Sequence, residues 1–191
     1  MNTEAYAKEL RDIFDRNAYS TLIAQVGDQL NDRKDRFDKS DIIEQAVAVY
    51  SGDRLIWVDL IGLDHVDPTR EFDLEFKYVS NGLFTKVQKL PKKIVNVKLK
   101  NNLGSHKGIT VDHPADFYMI GQQDAIAIIS WKDIQKYLVA VPDGIEARIP
   151  FDKLSFIFDC NDIDYSDEID TELNYKKIKM EAQRTLIETF L

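Results

Sequence analysis

A single cysteine, Cys160, stands in 191 residues. That excludes an internal disulfide framework and any zinc site built on several thiolates, and a reducing compartment, the cytoplasm, is expected. The acids around Cys160 predict a thiol of raised pKa, which argues against a nucleophilic cysteine. No Gly-x-Gly pair and no Gly-x-Ser-x-Gly occur, and Gly104-Ser105-His106-Lys107-Gly108 lacks the Gly-Lys-Ser/Thr ending of a phosphate loop. No nucleotide cofactor and no serine-hydrolase elbow are therefore expected. His65, His106 and His113 lack zinc-ligand spacing and read as loop histidines. Met1-Asn2-Thr3-Glu4 carries an acid where an export signal carries a base, and the longest apolar runs, Ala125 to Ile129 and Leu138 to Val141, are far short of the ~18 residues of a membrane span. Neither export nor a membrane partner is expected.

What is present is an ordinary globular composition, 44% hydrophobic with a net charge of -8. A chain of this length removes roughly 70% of its unfolded surface from water in one compact domain. The charge is unevenly placed. Between Phe76 and Val111 there are eight lysines and no acid, so this segment carries +8 and the rest of the chain -16, with seven acids between Asp159 and Glu172. Such polarity along the chain marks one surface for an anionic partner while the remainder repels it.

The pattern predicts one domain over 1–191, with N-terminal helices in 1–50, a sheet core at about 40–160 and a C-terminal helix at about 171–190. Tyr6, Leu10, Ile13 and Phe14, then Leu22, Ile23, Val26 and Leu30, recur at helical spacing. Asn31 to Lys39 reads as a charged linker, and Ser40-Asp41 as the cap of a helix through Ile42, Ile43, Ala46, Val47 and Tyr50. From Leu55 the pattern turns to β: Leu55 to Ile61, an interruption at His65 to Thr69, then Arg70 to Tyr78, which together read as one hairpin. Further strands are expected at Ile94 to Leu99, Phe117 to Ile120, Ala125 to Ser130 and Leu154 to Phe158, with a short helix at Trp131 to Tyr137. The fold class is α/β (α+β) with a central mixed sheet flanked by helices.

The chemistry concentrates at Glu75-Phe76-Lys77. About three acid-x-Lys triplets arise by chance in such a composition, and the other one here, Asp32-Arg33-Lys34, lies in the charged linker. Glu75 differs by context. Phe72, Leu74, Phe76 and Tyr78 fill one face of its strand, so Asp73, Glu75 and Lys77 share the other. Asp59 interrupts an apolar strand, where a carboxylate needs a partner. A hairpin turning about Asp67 puts Asp59 opposite Glu75, Cβ atoms roughly 5 Å apart. Two carboxylates so close require a shared proton or a cation, and Mg²⁺ suits a pair of carboxylates completed by waters and phosphate oxygens. Lys77 would steady a water or the charge developing at a scissile phosphate. The plainer account makes these residues the solvated face of a hairpin. Against it stand the embedding of Asp59, the lysine-rich segment that follows, and Glu44 on an otherwise apolar helix.

In that order, Glu44 on a helix, Asp59 on a strand and Glu75-Phe76-Lys77 on the next resemble the PD-(D/E)xK nuclease superfamily, the restriction endonuclease-like fold, over about residues 40 to 130. The resemblance implies a Mg²⁺-dependent endonuclease hydrolysing double-stranded DNA, in the style of small homodimeric type II restriction enzymes. Asp59 and Glu75 would hold the metal, Lys77 would position the attacking water, and Glu44 would complete the catalytic set. Asp64 is a rival for the first acidic position, and Lys98 or Lys100 for the lysine. The helix that follows the Asp/Glu-x-Lys strand in the family is not evident in this sequence.

Lys86, Lys89, Lys92, Lys93, Lys98, Lys100, Asn101, Asn102 and Lys107 suit a nucleic-acid backbone, and Asn also reads adenine edges. A palindromic cutter needs two copies about a two-fold axis, so a homodimer is expected. Two other readings stand beside this one: a non-catalytic interaction or immunity-type protein, and a structure-specific nuclease (resolvase) of the same superfamily.

Overall fold

The computed structural model describes residues 1–29, 36–60, 62–79, 82–85, 89–101, 114–142, 144–164 and 175–190. Among these, the helices α1 (Thr3–Ile13), α2 (Arg16–Gln29) and α3 (Arg36–Tyr50) come first. Asn2 caps α1 by accepting the Ala5 N–H at 2.8 Å, and Tyr6, Ala7 and Leu10 then fall on one buried stripe. Helix α3 begins at Arg36, ahead of the Ser40-Asp41 cap expected from sequence.

Nine strands follow among the described residues: β1 (Ile56–Leu60), β2 (Leu63–Asp67), β3 (Phe72–Tyr78), β4 (Ile94–Asn101), β5 (Phe117–Gln122), β6 (Ala125–Ser130), β7 (Leu138–Val141), β8 (Gly144–Pro150) and β9 (Ser155–Phe158). A short helix α4 (Trp131–Ile134) runs into a 3₁₀ turn, Gln135–Tyr137, before β7, and α5 (Tyr175–Phe190) ends the described chain. The chain is thus mixed α/β. Its main sheet is mixed, in the order β1-β2-β3-β5-β6-β9, with β3 and β5 parallel and the other neighbours antiparallel. Strands β4, β8 and β7 form a separate antiparallel sheet. No helix among the described residues is long and apolar enough to cross a membrane.

Side-chain alternation sorts the layers. Leu74 and Phe76 of β3, Phe117 and Met119 of β5, and Ile126 and Ile128 of β6 pack with α1, α2, α3 and Ile178 of α5 in one core. The alternate residues Tyr118, Ile120, Ala127 and Ile129 pack with Val95, Val97 and Leu99 of β4 and Ala147 and Ile149 of β8 in a second. Strands β5 and β6 are covered on both faces and read as unbroken apolar runs, whereas β3 keeps a polar face. In the β5–β6 hairpin, Gly121 faces Ile126, and a Cβ there would stand 2.6 Å from the Ala125 carbonyl oxygen. Backbone atoms do not yield cheaply, so Gly121→Ala is expected to lower stability by about 1–3 kcal/mol, read as a shift of the urea midpoint.

The expected hairpin is overturned. Leu63 to Asp67 is a strand rather than an interruption, so β2 separates β1 from β3. Leu60 faces Leu63 across a two-residue reversal in which Gly62 adopts φ 81°, a conformation that favours glycine. The next turn, after Asp67, is built on a polar knot. Asp67, fully buried, accepts from the Arg54 guanidinium at 2.8 Å on both oxygens, from the Tyr6 hydroxyl at 2.8 Å and from the Thr69 backbone and hydroxyl. Arg54 also reaches Glu9, which holds Arg70 as well. Helix α1 is thereby tied to the β2–β3 turn.

Candidate active site

The register of β2 on β3 pairs His65 with Leu74, Val66 with Asp73 and Asp67 with Phe72. One further step along the ladder brings Asp64, not Asp59, to Glu75. Asp59 sits on β1, one strand removed, so its expected pairing with Glu75 does not exist; its side chain lies outside the described residues. The cause is the extra strand, which inserts a second reversal between the two acids. Asp64 is fixed by its own backbone contact, its Oδ2 accepting the Phe76 N–H at 2.7 Å.

Alternation on β2 turns His65 toward α3 and leaves Asp64 on the face that carries Glu75 and Lys77. Glu75 is only 4% exposed, which removes the account of a solvated hairpin face. Its Oε1 pairs with the Lys77 ammonium, and its Oε2 is buried without a hydrogen-bond partner. The carboxyl of Asp64 is pushed well above the usual range, first by burial, then by the charges of Glu75 and Glu44, against the opposing pull of Lys77 and the Phe76 N–H. Glu44, buried on α3, is thus within electrostatic reach of the pair. Together these are the marks of a place that lacks positive charge.

The parallel register adds a residue that carries no signal of its own in the sequence. Tyr118 on β5 stands beside Glu75, and Ile120 beside Lys77. The Tyr118 phenol is fully buried against Trp131, ring centroids 5.7 Å apart. Burial pushes its pKa up, and the charges of Glu75 and Asp64 add to that. A phenol kept neutral beside two carboxylates is a hydrogen-bond donor, not a base.

Asp64 and Glu75 have the ligand chemistry a hard divalent cation takes: two carboxylates, one with an orphaned oxygen. Among the described residues no group of three or more His, Cys, Asp or Glu side chains is placed to hold a metal ion.

The other anticipated residues divide. Lys89, Lys93 and Lys98 are exposed, and Lys92 donates to the Gly82 carbonyl at 2.8 Å. Strand β4 belongs to the second sheet, and Lys98 alternates with Val97 and Leu99, which turn toward the main sheet. Lys98 consequently faces away from Glu75 and is no substitute for Lys77. Lys100 and Asn101 lie on the same strand, with side chains outside the described residues; Lys86, Asn102 and Lys107 lie outside them altogether. The Cys160 thiol is pushed up by burial and by Asp159, as its acidic surroundings predict.

His65 is a core residue rather than a loop histidine. Its Nε2–H donates to the Glu44 carbonyl at 2.7 Å, and burial pushes its pKa down to about 4. The unfolded chain takes up a proton near the ordinary 6.5 that the folded chain refuses. Stability conferred by neutral His65 is therefore lost as pH falls from about 6.5 toward 4, by up to roughly 3 kcal/mol. Asp64 acts in the opposite sense, because the fold binds its proton more readily than the unfolded chain does. Urea midpoints measured between pH 7 and 4 are expected to fall in the wild type and to fall less in His65→Leu.

Comparison with known proteins gives no match: no family model, no curated protein and no solved structure is similar to this chain.

Proposed function

We propose that this chain is a Mg²⁺-dependent endonuclease that hydrolyses phosphodiester bonds in double-stranded DNA through Asp64, Glu75 and Lys77. The observation that carries the reading is the meeting of a buried carboxylate, Glu75, and a half-buried one, Asp64, on one sheet face, the first with an unpartnered oxygen, beside a lysine two residues along the same strand. A helix bearing Glu44, a strand bearing Asp64 and a strand reading Glu75-Phe76-Lys77 follow the order of the PD-(D/E)xK pattern. The chain departs from that pattern in having Leu63 rather than Pro before the first acid, and no helix between β3 and β4 among the described residues.

When bound, magnesium would supply a Lewis acid for the phosphate and a lowered pKa for water. Asp64 and Glu75 would hold it, each through a carboxylate that loses its electrostatic penalty on doing so. Lys77, steered by Glu75 Oε1, would orient the water for in-line attack on phosphorus and offset the negative charge gathering on the phosphoryl oxygens as the ester oxygen departs. Glu44 adds negative charge behind the pair and strengthens its pull on the cation. The exposed Lys93, Asn96 and Lys98 of β4 and its approach, with Arg148 beside Asn96 on β8, suit the phosphate backbone away from the cut.

The test is plasmid cleavage with Mg²⁺ against the same reaction in EDTA, in wild type and Lys77→Ala. Cutting that needs the metal and falls roughly 10²- to 10³-fold in the variant supports the proposal. Binding without cutting under any divalent ion would make the protein a non-catalytic partner instead. Discrete fragments from linear duplex favour a sequence-specific restriction enzyme, and cutting confined to branched DNA favours a resolvase.

A further inference from the structure

We propose that His65 is a positioning residue that fixes Glu44 relative to the Asp64–Glu75 pair by tethering helix α3 to strand β2; the inference rests on the metal-site reading above. The bond from His65 Nε2–H to the Glu44 carbonyl is 2.7 Å long, and Glu44 lies well inside α3, where its carbonyl already accepts from the next turn of the helix. The helix does not need this donor. Nor does the strand, because the imidazole is fully buried and its Nδ1 finds no partner among the described residues, a desolvation cost that an aliphatic side chain would avoid.

What the bond does supply is a fixed point. Ile43 and Val47 hold α3 against the sheet through apolar contacts, which tolerate sliding, whereas a hydrogen bond sets position along the helix axis. The tether joins the backbone of Glu44 to the residue next to Asp64, about 3.3 Å along the strand. The side chains of Glu44 and Asp64 are thereby set at a constant separation, close enough for the charge of one to act on the other. A shift of α3 by a fraction of a turn would withdraw that charge.

The experiment reads Mn²⁺ affinity of the full chain by electron paramagnetic resonance, with Mn²⁺ alone as the probe. Wild type, Asp64→Asn, Glu44→Gln, His65→Leu, His65→Gln and the double variant Glu44→Gln/His65→Leu are compared, each checked for a cooperative urea transition. Wild type is expected to bind and Asp64→Asn to lose binding; no binding by wild type would overturn the metal-site reading, and this proposal with it. Given wild-type binding, His65→Leu is expected to weaken Mn²⁺ roughly tenfold, His65→Gln to fall between, and the double variant to bind no more weakly than Glu44→Gln alone. Non-additivity of that kind is the signature of one residue acting through another. His65→Leu binding as wild type does, or losses that simply add, would overturn the positioning role while leaving the metal site standing. If only His65→Gln folds, the same cycle run with Glu44→Gln/His65→Gln decides between additive and non-additive loss.

Discussion

Asp64→Asn is expected to reduce Mg²⁺-dependent DNA cleavage by on the order of 10³-fold, while Asp59→Asn stays within a few-fold of wild type. The two acids are five residues apart, Asp59 inside an apolar run and Asp64 inside a polar one. The ladder between β2 and β3 distinguishes them: it carries Asp64 to Glu75 and leaves Asp59 on the far side of an intervening strand. The same substitution is expected to leave the fold at least as stable as wild type. Asp64 holds its proton more tightly in the fold than in the unfolded chain, so its ionised form is a burden at neutral pH, and asparagine lifts that burden. A rise in urea midpoint at pH 7 together with lost cleavage would mark a residue kept for chemistry at the expense of stability. Full activity in Asp64→Asn, or inactivity confined to Asp59→Asn, would end the assignment.

Arg54→Ala is expected to cost about 3–5 kcal/mol, the largest stability loss anticipated for any exchange discussed. Asp67 is completely buried, and both of its oxygens rest on the Arg54 guanidinium. Without Arg54 the carboxylate keeps Tyr6 and Thr69 as hydrogen-bond donors but has no cation. Urea unfolding at pH 7 measures the loss. Asp67→Asn in the Arg54→Ala background removes the stranded charge and is expected to recover part of it. If Arg54→Ala alone changes stability by less than about 1 kcal/mol, the pair behaves as a surface contact and the account of the knot fails.

How far the sequence reveals this arrangement depends on which face a strand shows to what. Strand β3 was legible because only one of its faces meets a core, so Phe72, Leu74 and Phe76 alternate with Asp73, Glu75 and Lys77. Strands β5 and β6 were legible as apolar runs. Strand β2 was not, because its polar residues serve three ends: Asp64 faces the site, His65 reaches α3, and Asp67 anchors α1. Leu63-Asp64-His65-Val66-Asp67 therefore imitates a loop. Gly62 was the available signal, a glycine placed for a tight reversal. Glu44 and Glu75 stood out by their apolar context, and Asp64 stood only as a rival. Tyr118 had no sequence signal, since its nearness to Glu75 depends on a parallel pairing between strands some forty residues apart. The second sheet was missed because β7 is only four residues long and β8 buries its residues without strict alternation, which hides their period.

The outermost strands of the main sheet bear on how the molecule behaves in a crowd. On β9, the guanidinium of Arg11 from α1 donates to the carbonyls of Phe156 and Ile157, so part of the acceptor row that a foreign strand would use is already engaged. On β1, the pairing is dislocated between Trp57 and Leu60, which spoils the flat row of amides that templated growth requires. Both rims resist stacking into fibrils, and the sticky isoleucine-rich strands at the centre are withheld from neighbouring molecules until the whole sheet comes apart.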